Sequence, residues 1–370
     1  PLRRQRQMCI RDSKSLWKGL IVMLAAAFVM LVMPVQKASA AGTTEGSNLT
    51  WDSAYSGVIT YRGEYYSYNF SLKQSGRVTL AFNVDSVSEC AWTKIEEMNF
   101  LDESGSVVGS TRVSEGKTNV WIDLLAGNYT LEIVGHWGTG TGASFSFVPS
   151  FKSAGETKSE HSMAKNNELG MATPYKIGNK IKAQLACGDK VDIYKVKVSK
   201  NSYLNLTLSS KIKQMDITIK NTAGDVTIGE YNITAGTHKY KYFLPKGTYY
   251  ITFERTSGTG IYSFKTSSKV MPTVKIKKVK DTGKRITATF KRNSDMQGYQ
   301  IQVARDKKFK KGKKSFSYGN SGDVSAYGLK KGTYYVRIRA YKTRNVRVNH
   351  NYETRYYYSG WSTVKKVYVK

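Results

Sequence analysis

Hydrolytic chemistry asks for a nucleophile beside its base, paired carboxylates, or clustered metal ligands. This chain offers little of that kind. Its four histidines, His136, His161, His238 and His350, stand far apart, and no H-E-x-x-H, G-x-S-x-G or C-x-x-C occurs. Cys90, in "SECAWTK", has no neighbouring His and reads as a core thiol. Glu96-Glu97 and Asp102-Glu103 read as solvated charge. The expectation is a non-catalytic chain with no catalytic residue, no cofactor and no metal.

Binding chemistry is better represented. "GHWGTGTG" (135–142) places His136 and Trp137 on a glycine-rich connection, where an exposed indole stacks on a sugar face or folds back over the core. Trp92 in "CAWTK" has the same two readings. A strongly basic run, "RDKKFKKGKK", holds Arg305, Lys307, Lys308, Lys310, Lys311, Lys313 and Lys314. Arg337 and Arg339 alternate on a nearby strand pattern, followed by Arg344 and Arg347. Such a surface attracts polyanions by releasing their counterions, with steep salt dependence and little sequence selectivity. Lysines of this kind also keep a surface soluble and its sheet edges unpaired.

The elements that must carry these residues are strands. Helical periodicity is nearly absent after the first 40 residues, whereas alternation with period two is widespread. Tyr66, Tyr68, Phe70 and Leu72 alternate with Ser67, Asn69 and Ser71; Leu204, Leu206 and Leu208 alternate with Asn205 and Thr207. Turn signals such as "ESG", "SEG", "TAGD" and "KKG" separate the runs. The fold class is therefore all-β, in tandem antiparallel β-sandwiches. Charge is unevenly spread along them. The whole chain is +31, with 58 Lys and Arg against 27 Asp and Glu. Residues 49–150 hold 6 basic and 11 acidic residues, 151–272 hold 19 and 9, and 273–370 hold 26 and 5. The strongly basic last segment points to a polyanionic partner.

Four blocks recur in the same order. "YSYNFSLKQSGRVTL" (66–80) aligns with "DIYKVKVSKNSYLNL" (192–206), Gly105 with Gly224, Gly127 with Gly247, and Phe147 with Phe264. The two copies are joined by a polar linker. Copy two, through "NNELGMATPYKIGNKI", "DKVDIYKVKV" and "LPKGTYYITF…GTGIYSF", resembles a bacterial pre-peptidase C-terminal (PPC) domain, a small jelly-roll-like sandwich. Copy one shares the later blocks. The third segment, through "GYQIQVARDKKFKK", "LKKGTYYVRIRAYK" and "YSGWSTVKKVYVK", resembles a fibronectin type III domain of the kind found in Gram-positive surface and secreted proteins, an immunoglobulin-like sandwich. The first resemblance implies calcium candidates at Asp189 and Asp192. Lys190 lies between them, further acidic ligands are scarce, and calcium takes about six to eight oxygens. All three segments share a Gly-x-Tyr corner at Gly127-Tyr129, Gly247-Tyr249 and Gly332-Tyr334, where the ring enters the core and the hydroxyl reaches backbone.

The expected organisation follows. Residues 1–12 resemble the in-frame translation of a sequencing-library adapter. Residues 13–40 read as a signal peptide: Lys14 and Lys18, an apolar run Leu20–Met33, then "KASAAG" with Ala38 and Ala40 at an A-x-A site. Residues 41–150 and 166–270 are PPC-like sandwiches, 151–165 a linker, and 271–370 the fibronectin-like domain. Past residue 40 the cysteines are Cys90 and Cys187, in different segments, and a small disulfide scaffold is not expected. The functional expectation is a secreted or cell-surface binding and adhesion protein. Its basic C-terminal domain would hold anionic cell-wall polymer or glycan, with host or matrix surfaces as further partners. Sequence-specific nucleic acid is not expected, there being no recognition helix, nor is a retained transmembrane span. The alternative is an accessory, substrate-positioning region of a secreted peptidase or glycosidase whose catalytic domain would follow residue 370.

Overall fold

The computed structural model describes residues 36–37, 44–60, 63–86, 94–113, 116–136, 143–158, 166–222, 227–348 and 351–370. The adapter-like segment, nearly all of the signal-like segment, Cys90, Trp92, Trp137, His161 and His350 lie outside them. Among the described residues no helix is long and apolar enough to cross a membrane. One 3-10 turn, Leu169–Met171, accompanies an otherwise all-strand architecture.

The first copy contains β1 (Gln36–Lys37), β2 (Thr44–Asn48), β3 (Tyr55–Ile59), β4 (Tyr65–Leu72), β5 (Gly76–Ser86), β6 (Lys94–Asp102), β7 (Val107–Thr111), β8 (Gly116–Leu124), β9 (Gly127–His136) and β10 (Ala143–Ser153). They form two five-stranded sheets, β1-β3-β10-β5-β8 and β2-β4-β9-β6-β7. The alternating side chains of both sheets, among them Tyr68, Phe82, Phe100, Leu131 and Phe147, close one core.

The second copy contains β11 (Thr173–Tyr175), β12 (Lys180–Leu185), β13 (Val191–Val198), β14 (Ser202–Asn221), β15 (Thr227–Leu244), β16 (Gly247–Ser257) and β17 (Gly260–Val270). Its sheet runs β11-β13-β16-β14-β17-β12, with β15 also on β14. A single long strand serves both layers. The first half of β14 pairs with β17 and buries Leu204, Leu206 and Leu208, while the second half pairs with β16 and buries Met215, Ile217 and Ile219. The inward set changes from even to odd numbers across the register shifts between Ser210 and Ile217. A bulge that inserts a residue reverses every side chain beyond it, so the strand turns a corner while keeping its apolar face inside.

Cross-strand register supports the repeat read from the sequence. Tyr68 opposes Leu131 and Tyr194 opposes Ile251; Leu80 opposes Pro149 and Leu206 opposes Thr266. A short parallel strand opens each copy, Ser47 opposite Tyr68 and Thr173 opposite Tyr194.

The third segment contains β18 (Ile276–Asp281), β19 (Arg285–Phe290), β20 (Gly298–Ala304), β21 (Lys314–Gly319), β22 (Asp323–Tyr327), β23 (Gly332–Val348), β24 (Asn351–Tyr358) and β25 (Lys365–Val369). The sheet β18-β19-β22 packs on β21-β20-β23-β24, with β25 also on β23. The core between them holds Ile286, Tyr299, Ile301, Val303, Val336 and Ile338.

All three Gly-x-Tyr corners make the same bond. The hydroxyls of Tyr129, Tyr249 and Tyr334 donate to the carbonyls of Leu125, Pro245 and Lys330, at 3.1, 2.8 and 3.1 Å. Each partner lies four residues earlier, so the ring plugs the core and its polar end fastens the turn that delivered it. Gly332 takes φ 131°, where a side chain would strain.

The units also share residues. Asp123 of β8 accepts both ends of the Arg77 guanidinium at 2.8 and 2.9 Å and the Thr259 hydroxyl at 2.9 Å. Its carbonyl takes the Cys187 N–H, and Cys187 is buried against the first core. Tyr203, Phe243 and Met271 are buried with the third core, and Lys241 pairs with Asp295 at 2.8 Å.

Candidate polyanion-binding site

Turns in an antiparallel sandwich alternate between its two ends. In the third segment, the turns at 282–284, 305–313 and 328–331 therefore gather at one pole, and Asp295 and Met271 lie at the other, against the second copy. Hydrogen bonds tie the three turns together. Leu329 N–H donates to the Lys284 carbonyl at 3.0 Å, Arg305 N–H donates to Lys311 at 2.9 Å, and Lys314 Nζ donates to the Gly328 carbonyl at 2.7 Å.

The basic turn folds around two residues that are not lysines. Asp306 accepts the N–H groups of Lys308, Lys310 and Lys311 at 3.1, 2.9 and 2.6 Å, and these bonds, Lys311's first, hold its carboxyl below the usual range. Phe309 is buried although its φ is 60°, an uncommon conformation for a non-glycine residue. With Asp306 capped by backbone N–H groups and Phe309 buried, Lys307, Lys308, Lys310, Lys311, Lys313 and Lys314 are exposed. Lys284, Lys330 and Lys331, from the neighbouring turns, are exposed beside them. Nine lysines thus share one pole. Its second carboxylate, Asp281, accepts the N–H groups of Gly283 and Lys370 at 3.2 and 3.1 Å.

The three arginines expected in this surface are committed elsewhere. Arg305 Nη2 donates to the carbonyls of Lys330 and Lys331 at 2.9 and 3.1 Å, and its guanidinium lies 4.0 Å over the Tyr334 ring. It braces the corner rather than facing outward. Arg337 is clamped by Gln302 and stands between Phe309 and Trp361, at 4.0 and 4.1 Å. Arg339 donates to Gln300 at 2.8 Å and stands between Tyr358 and Trp361, at 3.4 and 4.4 Å. The result is a ladder of alternating rings and guanidinium groups along the sheet, each contact worth about 0.5–1 kcal/mol. "SGWS" zips onto β23 beneath it: the Ser359 and Ser362 hydroxyls accept the N–H groups of Ala340 and Ile338 at 3.0 and 2.9 Å.

Of the glycan candidates, His136 ends β9, with its backbone opposite Lys94, while Trp137 and Trp92 lie outside the described residues. The calcium candidates sit in a polar knot of the second core. Asp192 is fully buried and accepts Asn166 Nδ2 on one oxygen and the Tyr262 hydroxyl on the other, both at 2.5 Å. Tyr262 also meets the Tyr194 hydroxyl at 3.1 Å. Asp189 faces the Asn167 amide, and its Oδ2 is buried without a hydrogen-bond partner. Burial, then the nearby Asp192 carboxylate, pushes the Asp189 carboxyl up to about 8, so it favours a proton. Among the described residues no three His, Cys, Asp or Glu side chains group to hold a metal ion.

No family model matches the chain, and no curated protein matches it. Among solved structures it is similar to the pre-peptidase C-terminal domain of a collagenase from Bacillus anthracis, at 18% identity over 28% of this chain and 100% of that one, TM-score 0.25. It is similar to the FN1-FN3 domains of chicken CNTN1, at 12% identity over 88% and 99%, TM-score 0.21. It is similar also to the glycoside hydrolase domain of Endo-D from Streptococcus pneumoniae R6, at 10% identity over 51% and 33%, TM-score 0.17.

Proposed function

We propose that this chain is an exported, non-catalytic binding protein that is held on anionic cell-wall polymers or glycans through the lysine-covered pole of its third segment. The observation that carries the reading is the convergence of nine exposed lysines on three adjacent turns, with the carboxylates Asp281 and Asp306 taken up by backbone N–H groups. A flexible polyanion is attracted there by many weak ammonium contacts without a shaped pocket. The signal-like segment 13–40 supports export. The test is cosedimentation of the protein with Gram-positive cell walls across a salt series, beside a variant with Lys307, Lys308, Lys310, Lys311, Lys313 and Lys314 changed to Gln. Loss of wall binding in the variant, and at high salt in the parent, is expected. Equal binding by both proteins refutes the reading.

A further inference from the structure

The second copy carries a different charged surface, assembled by register instead of by sequence clustering. Residues directly opposite on neighbouring strands point to the same face. Across β12, β17, β14 and β15, one row reads Lys180, Lys265, Thr207, Lys239. The next reads Lys182, Ser263, Ser209, Thr237, and on the other side Ser267 and Asn205 continue to Lys241. These positions alternate with buried Leu204, Leu206 and Leu208, so the rows form the outward face of that half of the sandwich. No carboxylate occurs in the three rows. Lys241, at the margin, pairs with Asp295. The middle of the face is an open groove of about 530 Å³, lined by Asn205, Thr207, Ser209, Ser263 and Ser267, with Lys180 and Lys265 along one side.

We infer that this face binds an acidic polysaccharide, a carboxylate- or sulfate-bearing glycan laid across β12, β17, β14 and β15. Lys180, Lys265 and Lys239 span about 14 Å over three strand spacings, and supply positive charge on both sides of the groove. The floor between them is what sets this face apart from the lysine pole. Hydroxyl and amide side chains both donate and accept hydrogen bonds, as sugar hydroxyls do, whereas a phosphate chain presents acceptors alone. A surface built only for phosphate has no use for a row of acceptors. The inference goes beyond the wall-binding reading and depends on different residues.

The test uses the full chain with polygalacturonate and, separately, inorganic polyphosphate as probes, in calorimetric titrations at fixed salt. Three variants separate the surfaces: Lys180→Gln/Lys239→Gln/Lys265→Gln on the face, Thr207→Val on its floor, and Lys307→Gln/Lys310→Gln/Lys313→Gln at the pole. Because the lysine pole attracts any polyanion, polygalacturonate is read in the pole-variant background, where adding the face changes is expected to lower the remaining affinity about tenfold or more and adding Thr207→Val about threefold. Polyphosphate affinity is expected to fall in the pole variant and hold in Thr207→Val. Polygalacturonate binding left unchanged by adding the face changes overturns the inference. So does a loss on adding them while adding Thr207→Val causes none, because the face is then a charge patch with no preference for sugar.

Discussion

Changing Arg305 to Gln separates bracing from binding within the basic turn. Arg305 Nη2 gives two charge-assisted bonds to the carbonyls of Lys330 and Lys331, and its guanidinium lies 4.0 Å over the Tyr334 ring. A hydrogen bond to a charged group contributes about 1.5–3 kcal/mol when well buried, and an exposed cation–π contact about 0.5–1 kcal/mol. Arg305 is half-exposed and its two bonds share one nitrogen, so the low end applies, a loss of about 1–2 kcal/mol. A neighbouring exposed lysine such as Lys310, changed to Gln, should stay within about 0.5 kcal/mol of the parent. Urea unfolding followed by hydrogen exchange in residues 329–338 localises the loss to this corner. Polyanion affinity should behave in the opposite way, falling more in the lysine variant than in the arginine variant. If Arg305→Gln unfolds with the parent and weakens polyanion binding as a lysine change does, Arg305 is a ligand contact and the bracing argument fails.

Tyr249→Phe removes a buried hydroxyl that donates to the Pro245 carbonyl at 2.8 Å and should cost about 1 kcal/mol in urea unfolding, whereas Tyr334→Phe should cost less because Arg305 still donates to the Lys330 carbonyl; equal costs contradict this. Asp189, pushed up to about 8, keeps a proton in the folded chain between about pH 4 and that value, where the unfolded chain has lost it. The folded state then binds more protons, so this group's stabilising contribution is complete at low pH and is lost as pH rises through 8. Asp189→Asn should flatten the decline in urea midpoint between pH 5 and 8; an unaltered slope in the variant speaks against the assignment.

The strands were legible because alternation leaves a mark on every second residue, as in Tyr66, Tyr68, Phe70 and Leu72. The tyrosine corners were legible for the same local reason, since ring and carbonyl lie four residues apart. The corner in β14 was not, because its parity change from Leu208 to Met215 reads in sequence as an irregular apolar spacing. The lysine run 307–314 was visible, but Lys284, Lys330 and Lys331 were missed, although turn alternation in a sandwich was enough to group them. Arg337 and Arg339 alternate outward as expected, yet Trp361, Tyr358 and Phe309 occupy their faces, a pairing set by register and not by spacing. Asp192 stood out in sequence as a calcium candidate, but its hydrogen bonds from Asn166 and Tyr262, the latter from 70 residues away, were not legible there because the fold alone brings those residues together.

The central claim, that the pole binds polyanions through its lysines, is tested most directly by the salt dependence of affinity for inorganic polyphosphate. With about five lysines engaged and about 0.7 counterions released per contact on a flexible chain, log K should fall against log salt with a slope near −3.5. Replacing Lys307, Lys308, Lys310, Lys311, Lys313 and Lys314 by Gln should bring that slope to about −1 and cut affinity at low salt. A slope that the six changes leave untouched would contradict the account.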